Sequence, residues 1–243
     1  MNSTSLRITL ASLVIVPLLM SCGSEPITGD TPVNPVVSVR SELDAKAYAT
    51  DQDGQYSADV LGNTVDSLEV TSATIVASDL KLHGFDESAQ ESVGKLRAGQ
   101  FMLVFEPGGP GYISDVEVLA GTYPKAKFEV HPLHGDLDSL IQTDSRYAEF
   151  VTLGPTNSVI IHGHTYKRGV KLPFVFTSAL VLNGQFMFKT PLTLESSMRE
   201  QLRVRFLSQE AFGASGAVLD PTDVRNRASI ENNLRSSVGI FRL

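Results

Sequence analysis

The sequence predicts an all-β fold: an antiparallel β-sandwich, either one large or two small, with a short C-terminal helix. Three observations carry this. From Val36 onward the apolar runs are short and punctuated by Gly, Pro, Asn and Asp. Several of them alternate strictly between apolar and polar residues, the period of a strand with one wet face. Helix signals are few and brief.

In order, the predicted strands are Val36–Arg40, Ala45–Thr50, a long and bent Ser67–His83, Gln100–Glu106, Ser114–Leu119, Tyr123–Pro132, Ser158–Tyr166, Val170–Leu182, Gln185–Leu194 and Gln201–Leu207. The alternation is cleanest where Ala126, Phe128 and Val130 oppose Lys125, Lys127 and Glu129, and where Leu202, Val204 and Phe206 oppose Gln201, Arg203 and Arg205. Leu172, Phe174, Phe176 and Leu180 form a third buried set. Asp53-Gly54 and Asn183-Gly184 read as two-residue hairpin turns, the second joining Leu172–Leu182 to Gln185–Leu194. Asp220-Pro221-Thr222-Asp223 reads as a helix start, with Ile230 and Leu234 docking that helix. Further turns of helix are expected at Ser208–Phe212 and Asp136–Gln142, and a sub-boundary is expected near Gly154.

Composition removes several functions. A net charge of −7 lacks the basic balance that phosphate backbones demand, so no nucleic-acid partner is expected. Gly 19 and Pro 12 are ordinary counts that exclude collagen and low-complexity disorder. The single cysteine, Cys22, can neither close an intramolecular disulfide nor build a zinc knuckle.

That cysteine follows an apolar segment, Ile8–Met20, with Arg7 before it. Thirteen residues make a helix of about 20 Å, too short for a bilayer core of about 30 Å but typical of a signal-peptide h-region. Leu19-Met20-Ser21-Cys22-Gly23 resembles the lipobox of bacterial lipoproteins. The resemblance implies that residues 1–21 are a signal peptide cleaved between Ser21 and Cys22. It further implies that Cys22 is acylated and attaches to the membrane, and that Gly23, where aspartate would signal retention, sends the protein to the outer membrane. Several acyl chains make such attachment stable. Gly23–Asn34, with Pro26 and Pro32, reads as an extended tether ending at Pro35, so residues 36–243 form the folded domain.

A second resemblance rests on Ala120-Gly121-Thr122-Tyr123 leading into Lys127-Phe128-Glu129-Val130, on Ser158–Gly163 and Leu172-Pro173-Phe174, and on Leu219–Thr222 with Ile230 and Leu234. These stretches are similar to bacterial envelope lipoproteins with a prealbumin-like β-sandwich domain. The resemblance brings no catalytic residue and no calcium site to this chain.

Among residues that could carry chemistry, His162-Gly163-His164 stands out: residues two apart on a strand share a face, so both imidazoles could reach one metal, with His131 and His134 as further ligands. Spacing supplies two ligands where zinc needs three or four, so no metal or other cofactor is predicted and His162 and His164 remain the candidates. Asp51-Gln52-Asp53-Gly54 lacks the opening aspartate and closing glutamate of a calcium loop. Pro107-Gly108-Gly109-Pro110-Gly111 lacks the Gly-Lys-Ser/Thr ending of a phosphate loop, and Gly213–Ala217 misses the spacing of a nucleophile elbow. Arg203 and Arg205, near Glu200 and Glu210, read as solvated ion pairs, and no extended basic patch is visible. Phe174, Phe176, Phe186 and Phe188 are expected to pack across one hairpin.

The function this predicts is a lipid-anchored cell-envelope β-sandwich with a structural, adhesive or ligand-binding role and no catalysis. Its partners would be the membrane, reached through N-terminal acyl chains, and another envelope protein or a surface glycan. One alternative is a metal-dependent or hydrolytic envelope enzyme using His162 and His164. Another is a carrier of an apolar ligand.

Overall fold

A computed structural model describes residues 33–49, 62–86 and 88–243. The signal segment, Ser21, Cys22, the tether through residue 32 and the Asp51–Gly54 segment lie outside the described residues. In chain order the strands are β1 (Val36–Asp44), β2 (Lys46–Tyr48), β3 (Thr64–Val65), β4 (Ser67–Asp86), β5 (Glu91–Phe105), β6 (Gly111–Glu117), β7 (Gly121–Val130), β8 (Val159–Lys167), β9 (Val170–Ser178), β10 (Leu182–Leu194), β11 (Arg199–Leu207), β12 (Gly213–Ala214), β13 (Ala217–Leu219) and β14 (Val238–Arg242). The helices are α1 (Leu137–Thr143), α2 (Tyr147–Leu153), α3 (Ser208–Phe212) and α4 (Arg227–Leu234).

One sheet runs β14-β11-β1-β6, with β1 and β11 parallel and the other pairs antiparallel. A small sheet runs β12-β13-β3, and the largest is built on β4, a strand of 20 residues. Along one edge β4 pairs with β2 and then β5; along the other it pairs with β8 and then β7, which carry β9 and β10 outward. Midway, Asp79 adopts φ 49 where the pairing register shifts between Ser78 and Leu80. This bulge lets one strand serve two differently angled halves.

The two larger sheets close on one core. Val37, Val39, Leu202, Val204 and Phe206 meet Leu68, Val70, Leu82, Leu103, Phe105 and Tyr123, all at or near zero exposure. The predicted alternations at Ala126–Val130 and Leu202–Phe206 hold, as does burial of Ile230 and Leu234. A second, smaller cluster lies on the outer face of the β4 sheet, where Tyr147 and Phe150 of α2 cover Val76 and Ile160. Strands before and after Gly154 therefore belong to one sheet, and Gly154 itself caps α2.

The structure corrects several expectations. Asn183-Gly184 is no turn. Both residues lie inside β10, opposite Glu129 and Phe128 of β7. The hairpin closing β9 is instead β8–β9, through Arg168-Gly169, whose φ values of 51° and 78° suit a twisted two-residue turn. Phe174 and Phe176 consequently pack on Phe212 of α3, while Phe186 stacks on Phe128, so the rings of Phe174, Phe176 and Phe186 fall in two groups and not one. Leu172 is 52% exposed, since β9 overhangs the core at that end. The C-terminal helix begins later than Asp220: that carboxylate accepts from the Thr222 N–H and hydroxyl in a turn, and Asp223 caps the 3-10 turn Val224–Asn226 that leads into α4. Residues 91–99 of β5 escape a pattern search because two of their inward positions are Ser92 and Gly94 rather than apolar residues.

Candidate functional site

His162 projects from the outer face of β8, beside Ile160 at the edge of the small cluster. Packing of Tyr147 and Phe150 fixes α2 over this face. That places Glu149 Oε1 2.6 Å from His162 Nε2, with the two side chains 41% and 33% exposed. A carboxylate at this distance fixes the ring orientation, and at this exposure the pair contributes about 0–1 kcal/mol.

His164 lies two residues further on the same face, opposite Glu69 on β4 and Pro173 on β9. Its Nδ1 is buried without a hydrogen-bond partner, and the Glu69 carboxylate instead accepts from the Tyr166 hydroxyl at 3.1 Å. The His131 and His134 rings lie against each other with centroids 4.7 Å apart and planes tilted by 52°, and His131 Nδ1 lies 2.9 Å from the Pro132 carbonyl oxygen. Among the described residues no three His, Cys, Asp or Glu side chains converge as metal ligands, so the four histidines do not form one centre. The arrangement is one hydrogen-bonded contact between His162 and Glu149. It supplies no third ligand.

Gly163, between the two histidines, has a packing role. A Cβ there would stand 2.4 Å from the Glu69 carbonyl oxygen and 2.7 Å from the Phe174 ring. The His-Gly-His pattern is therefore two outward residues separated by the only residue small enough to accept Phe174 from the core side.

The arginines pair, though not with the expected acids. Parallel pairing of β1 with β11 sets Glu42 opposite Arg205, so Arg203 donates to Glu42 at 2.7 Å, while Glu200 is taken by Arg242 at 2.8 Å. Glu210 takes no part. The Pro107–Gly111 segment links β5 to β6 and so crosses between the sheets. It borders a groove of about 280 Å³ with Glu106, Tyr112 and Arg146. In Gly213–Ala217, Ser215 and Gly216 (φ 48° and 84°) make the turn of the small β12–β13 hairpin.

Two features were missed. Glu149 sits on a helix of seven residues inside a long connection, where nothing in the pattern marks it as a partner of His162. A basic face does exist: Lys81, Lys95, Lys125 and Lys127 come from three strands and meet only after pairing. The outward alternation of Lys125 and Lys127 was its one legible trace.

No protein-family model and no curated protein matches the chain. Among solved structures, MbnP from Methylosinus trichosporium is similar at 11% sequence identity, over 73% of this chain and 76% of that one, with a TM-score of 0.37. A likeness that loose carries no argument about what this chain does.

Proposed function

We propose that this chain is a lipid-anchored β-sandwich of the bacterial envelope that acts through its surfaces, as a structural, adhesive or ligand-binding module, and not as a catalyst. The observation that supports this most is the register between sequence and fold. The two-sheet domain begins at β1, at Val36, directly after a proline-punctuated stretch that leads back to Leu19-Met20-Ser21-Cys22. A tether of that length separates a domain from headgroups without ordering it. In this reading the body is held near the membrane by acyl chains on Cys22.

Cys22→Ala tests the anchor. The variant should lose palmitate labelling and shift from the membrane pellet to the soluble or unprocessed fraction. Labelling that persists in the variant would refute the lipid assignment.

The enzyme alternative has a separate test. Replacing His162 and His164 together with alanine should leave the metal content of the purified protein unchanged and cost no more than about 1 kcal/mol in denaturant unfolding, the worth of one exposed ion pair. Loss of a stoichiometric metal in that variant would favour the enzyme.

A further inference from the structure

Beyond the Asp79 bulge, the outer face of the β4 sheet carries two adjacent cross-strand rows. The first runs Lys95, Lys81, Lys127 and Gln185 across β5, β4, β7 and β10. The second runs Val93, His83, Lys125 and Met187 across the same strands. Neighbouring strands lie about 4.8 Å apart, and like charges placed directly opposite destabilise a sheet. A protein with net charge −7 has ample acid to neutralise such a row, and Glu129 lines the groove beside it while Glu91 lies near His83, yet among the described residues its one ion pair is Asp79, 4.0 Å from Lys81 Nζ. Among the described residues Lys95, Lys125 and Lys127 have no carboxylate partner, whereas arginines elsewhere are held at 2.6–2.9 Å by Asp115, Asp144, Glu42 and Glu200.

The positive field converges on His83. Its Nε2 is buried with no hydrogen-bond partner. Burial, followed by the charges of Lys127, Lys81 and Lys125, holds its pKa below the ordinary imidazole value, against an opposing pull from Glu91. Beside it a groove of about 390 Å³ is lined by Lys81, His83, Lys127, Glu129, Asn183 and Gln185. Apolar side chains stand among these cations: Val93, Met187 and Phe85 are 44%, 63% and 55% exposed.

We propose that this face docks on an anionic lipid bilayer, with phosphate headgroups over Lys95, Lys81, Lys127 and Lys125 and with Val93, Met187 and Phe85 entering the headgroup layer. Lysines suit the task because a compact, mobile ammonium accepts a dense array of phosphates without demanding one orientation. A soluble polyanion would meet the same charges, but it leaves exposed Val, Met and Phe in water; a bilayer surface uses both rows. The proposal does not depend on acylation of Cys22.

The test is cosedimentation of the full chain with vesicles of phosphatidylcholine alone and with phosphatidylglycerol added. Each comparison uses the same N-terminus, so any N-terminal affinity cancels. Added phosphatidylglycerol should strengthen binding in a manner lost at high salt. Each Lys→Gln change should weaken that component about five-fold, and the quadruple variant Lys81→Gln, Lys95→Gln, Lys125→Gln, Lys127→Gln at least about a hundredfold. Lys46→Gln with Lys171→Gln, on β2 and β9, should leave it unchanged. Val93→Ser with Met187→Ser should weaken it without altering its salt dependence. The quadruple variant should melt no lower than the parent, since repulsion is being removed; should it fail to fold, the single Lys127→Gln carries the test through its five-fold loss. Equal binding to both vesicle types, or capture of inorganic polyphosphate without vesicle binding, overturns the proposal.

Discussion

Phe212→Ala should lower the unfolding free energy by about 3–5 kcal/mol, the range for removing a fully buried phenyl ring. Phe212 is fully buried on α3, with the rings of Phe174 and Phe176 at 5.9 and 6.4 Å, both edge-on. It joins the hairpin β8–β9 to α3, beside the contacts that Arg227 and Glu231 of α4 make with Thr177 and Ser178. The cavity cannot collapse easily, because α3 is held in place: Asn233 on α4 donates to the carbonyls of Ala211 and Gly213 at 3.3 and 3.0 Å. For a chain of this size each kcal/mol lowers Tm by about 2–4 °C, so a drop of roughly 6–20 °C is expected. Thermal unfolding followed by circular dichroism checks it. A shift under about 2 °C would mean that Phe212 is not the ring closing this part of the core.

Gly184→Ala should cost about 1–3 kcal/mol through overpacking, while Asn183→Ala should cost less than about 0.5 kcal/mol. The asymmetry is the point of the measurement. A Cβ on Gly184 would stand 2.3 Å from a Phe128 ring carbon, and that ring is itself stacked on Phe186 with centroids 5.6 Å apart. Asn183 faces outward and is exposed. A hairpin turn at this site would make both residues costly to replace, since a twisted two-residue turn needs positive φ at both positions. Chemical denaturation of the two variants therefore distinguishes an in-strand glycine from a turn glycine.

That dipeptide also shows where a sequence can mislead. Asn-Gly has two uses, and only one of them announces itself locally: the other depends on Phe128, which comes from 56 positions earlier in the chain. Lys125–Val130 and Gln201–Phe206 were legible because each strand is half wet, so its own residues record both environments. Leu172 misled because alternation continues past the end of the facing sheet, where nothing remains to cover it. Val238–Arg242 was overlooked because it is short and includes Gly239, although it pairs with β11 along its whole length. The candidate sites follow the same logic. His162 and His164 were visible as neighbours in sequence, but Glu149 and the lysine rows exist only through contacts between elements. A chemical group assembled across strands leaves no compact motif to find.

The parallel pairing of β1 with β11 has a consequence for the life of the chain before it is folded. Val36 pairs with Arg199, and Asp44 with Leu207. Among the described residues the earliest strand, β1, thus waits for one of the last before its second edge is covered. β6 can cover the other edge earlier, but Val37 and Val39 gain the neighbours Glu200 and Leu202 only when most of the chain has been made. Contacts of such long sequence separation are formed late and slowly, because loop closure is entropically costly before any burial compensates. A nascent chain stalled before residue 199 would carry an exposed apolar strand edge, the kind of edge that recruits chaperones or other strands. Arrival of β11, and not the appearance of any single domain half, is the event that covers the second edge of β1.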